Sequence, residues 1–159
     1  MDMKRNSLTL LLVLIISSFS FLQAQDTNPE APDYKVGLGV RLSNATPTLS
    51  NSVTIKYFMN QKAALEGLVS FGSRFGIGGL YEVHKPTTAA GLKWFFGGGA
   101  YIGFQDGNTY LGPTGIIGLD YKFTNVPLNL SLDWKPELDI IPSINFVPDA
   151  FALSARFTF

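Results

Sequence analysis

The chain has 159 residues, a length that suits one domain. Charged residues make up only 15% and balance to a formal net charge of zero, and no cluster of Lys and Arg offers a surface for nucleic acid. There is no cysteine, which excludes disulfides, thiolate metal sites and thiol chemistry.

Residues 1–24 read as a secretory signal peptide. Lys4 and Arg5 supply the positive start, and Leu8 to Ile16 form an apolar stretch broken only by Thr9. That stretch is short for a membrane helix of about 20 residues, and serines follow it. Cleavage is expected after Ala24, within a few residues. No Cys stands at that site to carry a lipoprotein anchor. Residues 25–33 (QDTNPEAPD) are polar, contain two prolines and read as a disordered lead on the periplasmic side.

From residue 34 onward the chain alternates. Eight strands are expected at 34–42, 52–58, 63–71, 75–83, 92–104, 114–123, 128–135 and 150–159, and no segment carries a 3.6-residue apolar period. A strand turns successive side chains to opposite faces. In the first strand Tyr34, Val36, Leu38, Val40 and Leu42 share one face, and Lys35, Gly37, Gly39 and Arg41 share the other. The last repeats this, with Phe151, Leu153, Ala155, Phe157 and Phe159 opposite Ala152, Ser154, Arg156 and Thr158. Read in these registers, the apolar faces carry no charge. The opposite faces carry Lys35, Arg41, Lys56, Glu66, Glu82, Lys93, Asp120, Lys122, Asp133, Lys135 and Arg156.

Alternation does not say which face is inside, because a soluble ligand-carrier barrel alternates too. Volume decides. Eight strands enclose just enough room for side chains or one small ligand, too little for all the large apolar residues of these faces. The polar face is also the small one, with Gly37, Gly39, Gly76, Gly78, Gly97, Gly99, Gly103 and Gly118 leaving space around Phe95 and Tyr101. A soluble protein with the opposite face outward would expose an apolar belt far beyond what monomers tolerate. The expected fold is therefore an all-β, eight-stranded, antiparallel, up-and-down transmembrane β-barrel over 34–159. Lipid meets the apolar face, and a structural network of the eleven charges fills the interior. Tyr34, Tyr57, Tyr121 and Phe123 would girdle one rim, with Trp134 near the other.

Connections 59–62 and 124–127 are tight, and 43–51, 105–113 and 136–149 are longer. This is the pattern of short periplasmic turns and long outer loops, with 72–74 and 84–91 as exceptions. Loop 136–149 contains Ile140, Ile141, Ile144, Phe146 and Val147, unusually apolar for an exposed loop.

The stretch Tyr121 to Leu138 (YKFTNVPLNLSLDWKPEL) is similar to a turn-and-strand segment frequent in small eight-stranded outer-membrane barrel proteins of Gram-negative envelopes. The closing ALSARFTF, with Phe157 and Phe159, resembles the signal by which the barrel assembly machinery recognises its clients. The resemblance covers 34–159. It implies the cell outer membrane, contact with its lipid, insertion by that machinery and a monomer. The family includes adhesins, stabilising barrels, narrow channels and a few lipid-modifying enzymes, so it does not by itself choose an activity.

Candidate chemistry is sparse. His84 reads as a polar residue of a periplasmic turn, across the membrane from Ser70 and Ser73. Glu66 and Glu82 mark no sugar cleft. The run Gly97-Gly98-Gly99 lacks the following helix and Lys of a phosphate loop. Asp106-Gly107-Asn108 is a turn with too few oxygens for calcium. Arg156, Glu66 and Asp120 fall at similar depth and are expected to meet across the lumen. The expectation is a non-enzymatic, cofactor-free barrel with a largely plugged interior and a structural or surface-binding role. A narrow channel for small solutes or apolar molecules is the alternative, and a lipid-modifying enzyme is more distant.

Overall fold

The computed structural model describes residues 34–43, 48–148 and 151–159. The expected signal peptide and lead segment, residues 1–33, lie outside the described residues.

Ten β elements form one sheet: β1 (Val36–Ser43), β2 (Ser52–Phe58), β3 (Ala63–Phe71), β4 (Phe75–Pro86), β5 (Leu92–Gln105), β6 (Asn108–Lys122), β7 (Leu128–Trp134), β8 (Glu137–Asp139), β9 (Asn145–Val147) and β10 (Phe151–Thr158). All pairings are antiparallel. The order β5-β4-β3-β2-β1-β10-β7-β6 is closed by β5 pairing with β6. The ring has eight wall strands, because two of them are interrupted. Opposite β6, Trp134 of β7 faces Ile117 and Glu137 of β8 faces Thr114, the same register across a three-residue step. Thus β8 continues β7 past Pro136, whose missing N–H breaks the ladder there. Likewise β9 continues β10 with one extra residue between Val147 and Phe151, since Glu137 faces Val147 while Trp134 faces Phe151.

The wall is therefore taller than the sequence suggests on the side of β5 to β9. Residues 105–113 are not a long loop. β6 begins at Asn108, and only Asp106 and Gly107 turn, both at positive φ (51° and 78°). Two left-handed residues in a two-residue hairpin suit the right-handed strand twist, and Asp-Gly is a favoured pair for it. Residues 137–147 likewise form a short hairpin in place of a loop.

The faces sort sharply. Leu132 is 54% exposed and its neighbour Asp133 3%; Leu42 is 58% exposed and its neighbour Arg41 1%. Leu38, Val40, Val53, Ile55, Leu65, Ile77, Ile117, Leu119, Leu153 and Phe157 are all exposed, while Lys56, Glu66, Glu82 and Arg156 are buried. A continuous apolar outside around a charged inside is stable only where hydrocarbon replaces water. Closure of the sheet pairs the main strands on both sides, as that solvent demands, while the short β9 extension pairs with β8 alone among the described residues.

The aromatic girdle is partly corrected. Tyr57 is exposed on the outer surface, and Tyr121 and Phe123 pack edge-to-face at 4.8 Å. Tyr34 instead turns in beneath the barrel, 4.9 Å from the ring of inward Phe58.

Candidate functional site: the barrel lumen

The lumen is built in layers, described from the end opposite the chain termini. In the uppermost layer the residues shortly before β2 dip into the barrel. Thr48, Leu49 and Ser50 are buried there. The carboxylate of Glu137 accepts the Leu49 N–H at 2.8 Å and the Thr48 N–H at 3.2 Å, while Arg41 donates to the Leu49 carbonyl at 2.9 Å. Lys135 holds Glu137 at 3.1 Å, and Arg41 is paired with Asp133 at 2.6 Å. Inward glycines make the room. A Cβ on Gly78 would strike the Leu49 side chain, and one on Gly76 or Gly103 would strike Thr48. Beside this insert, Asp139 accepts from Arg74 at 2.9 Å and from the Tyr101 hydroxyl at 2.9 Å, and the Arg74 guanidinium lies 3.4 Å from the centre of the Tyr110 ring.

The middle layer is apolar, with Leu49, Leu68, Leu80, Phe95, Tyr101 and Ile116 in one buried cluster. Below it Arg156 is paired with Glu66 and donates to Ser131 at 2.7 Å and Asn129 at 3.3 Å; the Thr54 hydroxyl also donates to Glu66. Lys56 sits next to this group. It reaches Glu82 at 2.8 Å, Asp120 at 3.4 Å and Glu66 at 4.0 Å, with its ammonium 4.5 Å from the centre of the Phe95 ring.

The expected trio of Arg156, Glu66 and Asp120 is divided. Arg156 takes Glu66, whereas Asp120 is bound by Lys56, Asn129 and His84, the last at 3.3 Å. His84 is no turn residue. β4 runs on to Pro86, which places His84 in the wall, 1% exposed and stacked on Phe95 at 5.0 Å. Ser70 lies at the other end, bonded to Ser50.

Of the eleven expected interior charges, three leave the network. Lys122 donates to the Phe123 and Val126 carbonyls, at 2.5 and 3.0 Å. Lys93 is half-buried at the mouth, 5.9 Å from the Phe58 ring centre, and Lys35 is exposed, 5.7 Å from that of Tyr57. Arg74, His84, Glu137 and Asp139 join from outside the expected set. Strand parity would have found three of them had the strands been run further, since His84 follows Glu82 and Glu137 and Asp139 follow Lys135 at steps of two. Leu49 carried no signal of entering the lumen.

Phe159 closes the wall through its backbone, exchanging hydrogen bonds with Val36. Phe157 and Phe159 stack edge-to-face at 5.0 Å on the outside. Among the described residues, no group of three His, Asp or Glu side chains is placed to hold a metal ion.

No family model matches the chain, and no curated protein matches it by sequence. Among solved structures, the NMR solution structure of the E. coli outer membrane protein W is similar in fold. Its TM-score is 0.52 at 12% sequence identity, over 82% of this chain and 99% of that one.

Proposed function

We propose that this chain is a non-enzymatic barrel of the bacterial outer membrane that works as a filled cylinder, with a structural or surface-binding role in the envelope. The observation that carries this is the clamped insert. Thr48 and Leu49 lie inside the wall, held by Glu137 and Arg41, directly above a buried apolar cluster and a lattice of ion pairs. Eight strands leave little space to begin with, and these groups take it. The likeness in fold to an outer membrane protein of E. coli and the expected leader support the location.

In this reading the end with the chain termini faces the periplasm, and the β5–β6 and β8–β9 hairpins stand on the outer side. Exposed Ile140, Ile141, Ile144 and Phe146 give the latter an apolar crown for contacts. Lipid surrounds a single barrel, and Phe157 and Phe159 serve as the signal for insertion. Planar-bilayer recordings of refolded protein test the filled lumen. Silence across a range of voltages is expected; discrete openings in wild-type protein would overturn it in favour of a narrow channel.

A further inference from the structure

A cavity of about 420 Å³ opens at the end that carries the chain termini. Its lining combines two chemistries. Tyr34 and Phe58 offer ring surface, and Lys35, Lys93 and Lys122 offer cations. The volume falls in the range of small-molecule sites, about 300–1,000 Å³.

The cations are not consumed by the lumen. Lys93 stands directly across the strand pair from Asp120, yet Asp120 is taken by Lys56, His84 and Asn129. Among the described residues, no carboxylate lies within ion-pairing distance of Lys35 or Lys93. Lys122 spends two of its three N–H donors on carbonyls, which leaves one. The Tyr34 and Phe58 rings, packed edge-to-face at 4.9 Å, give the same cavity an apolar wall beside these cations. Asp120, the one side-chain carboxylate in the lining, is already neutralised by its own partners, and three Lys ammonium groups outnumber the terminal carboxylate of Phe159, so the mouth is positive.

We propose that this cavity is a binding site for a small anion with an apolar body. Its carboxylate or phosphate is held by Lys93 and Lys122, and its hydrocarbon or aromatic part lies against Phe58 and the Tyr34 ring. Free anions and the headgroups of acidic phospholipids share this chemistry.

Calorimetric titration of the full barrel in phosphatidylcholine nanodiscs tests the site, with empty discs subtracted. The probes are 4-phenylbutyrate, its neutral alcohol 4-phenylbutanol, and inorganic phosphate. Saturable binding of the carboxylate is expected, with neither the alcohol nor phosphate matching it. Lys93→Gln should weaken binding at least tenfold, with circular dichroism unchanged. Lys93 makes no ion pair, so its replacement leaves the lumen intact. No saturable binding, equal binding by Lys93→Gln, or equal affinity for the alcohol overturns the proposal. Phosphate binding as tightly as the carboxylate overturns its apolar half. Phosphatidylglycerol in the discs separates the sources: competition assigns the site to a lipid headgroup, and undisturbed phenylbutyrate binding assigns it to a free anion.

Discussion

Arg156 and Glu66 offer the sharpest test of the lumen's energetics. Both side chains are 1% exposed and paired, and Arg156 also holds Ser131 at 2.7 Å and Asn129 at 3.3 Å. Replacing Arg156 by Met leaves Glu66 with the Thr54 hydroxyl and an ammonium 4.0 Å away on Lys56. Breaking a buried pair by removing one partner costs about 3–5 kcal/mol, because the remaining charge stays desolvated. Lys56 offsets part of this, so about 3 kcal/mol is expected for Arg156→Met. Glu66→Met should cost about as much, since Arg156 then keeps only neutral partners. The double variant removes both charges and should cost clearly less than the two singles together, with an interaction energy of about 1–3 kcal/mol. Urea unfolding in lipid vesicles, followed by the fluorescence of Trp94 and Trp134, gives all four values. Singles below about 1 kcal/mol would mean a solvated pair of the surface kind. A strictly additive double variant would mean that the two groups do not act on each other. Either result refutes a dry lumen.

Three other perturbations test other parts of the structure. Leu119→Lys or Leu132→Lys sets an ammonium on the lipid face and should cost about 2–4 kcal/mol near the bilayer midplane; an unchanged urea midpoint would place those residues off the lipid face. Gly39→Ala puts a methyl against the Ala155 carbonyl and the Arg156 backbone, whereas Gly78→Ala meets only the flexible Leu49 side chain. The first should lose about 1–3 kcal/mol and the second less than about 1 kcal/mol by the same unfolding measurement, and the reverse order would contradict the inserted Leu49. Deleting Phe159 should lower the amount of folded barrel in outer-membrane fractions more than it lowers stability after refolding in vitro, and normal accumulation would remove the assembly signal from its terminus.

Period-two alternation made most of the wall legible, because it is a local property that survives without knowledge of partners. Strands β2 and β3 fall on their expected bounds, and the opposite burial of Asp133 and Leu132 follows from parity alone. The misreadings share one cause: a strand was stopped where its composition turned polar or a proline appeared. Pro136 hides the continuation of β7 into Glu137 and Asp139, His84 and Pro86 hide the end of β4, and the polar residues and Pro113 after the Asp106-Gly107 turn hide the start of β6 at Asn108. Contacts across the lumen were less legible. Alternation gives the face and strand length gives a rough depth, but which carboxylate Arg156 takes depends on tilt and on side-chain reach. Lys56 reaches Asp120 and so leaves Arg156 to Glu66 alone. Leu49 is the extreme case, since a loop folded inward has no period at all.

The charges inside this barrel bear on specificity as well as stability. The apolar face fixes each strand only to within an even number of residues. A slip of one would set Arg41 or Lys56 in hydrocarbon, at about 2–4 kcal/mol each near the midplane, while a slip of two keeps every face correct. Apolar interior residues would leave those even slips almost equal in energy. Ion pairs do not. In the observed register Lys56 stands directly opposite Glu66, with Glu82 and Asp120 within its reach. Moving β2 by two residues against β3 would bring Leu68 or Ala64 opposite Lys56 instead, and strand both charges. The lattice therefore penalises the misregistered barrels that alternation permits. The double variant Arg156→Met with Glu66→Met reads this out as well. It should recover stability relative to either single variant yet lose uniqueness, so that paired cysteines set two residues out of register between β2 and β3 crosslink in it and not in the wild type. If the out-of-register crosslink is absent from both, the strands are held in register by the turns and packing, and the charges only fill space.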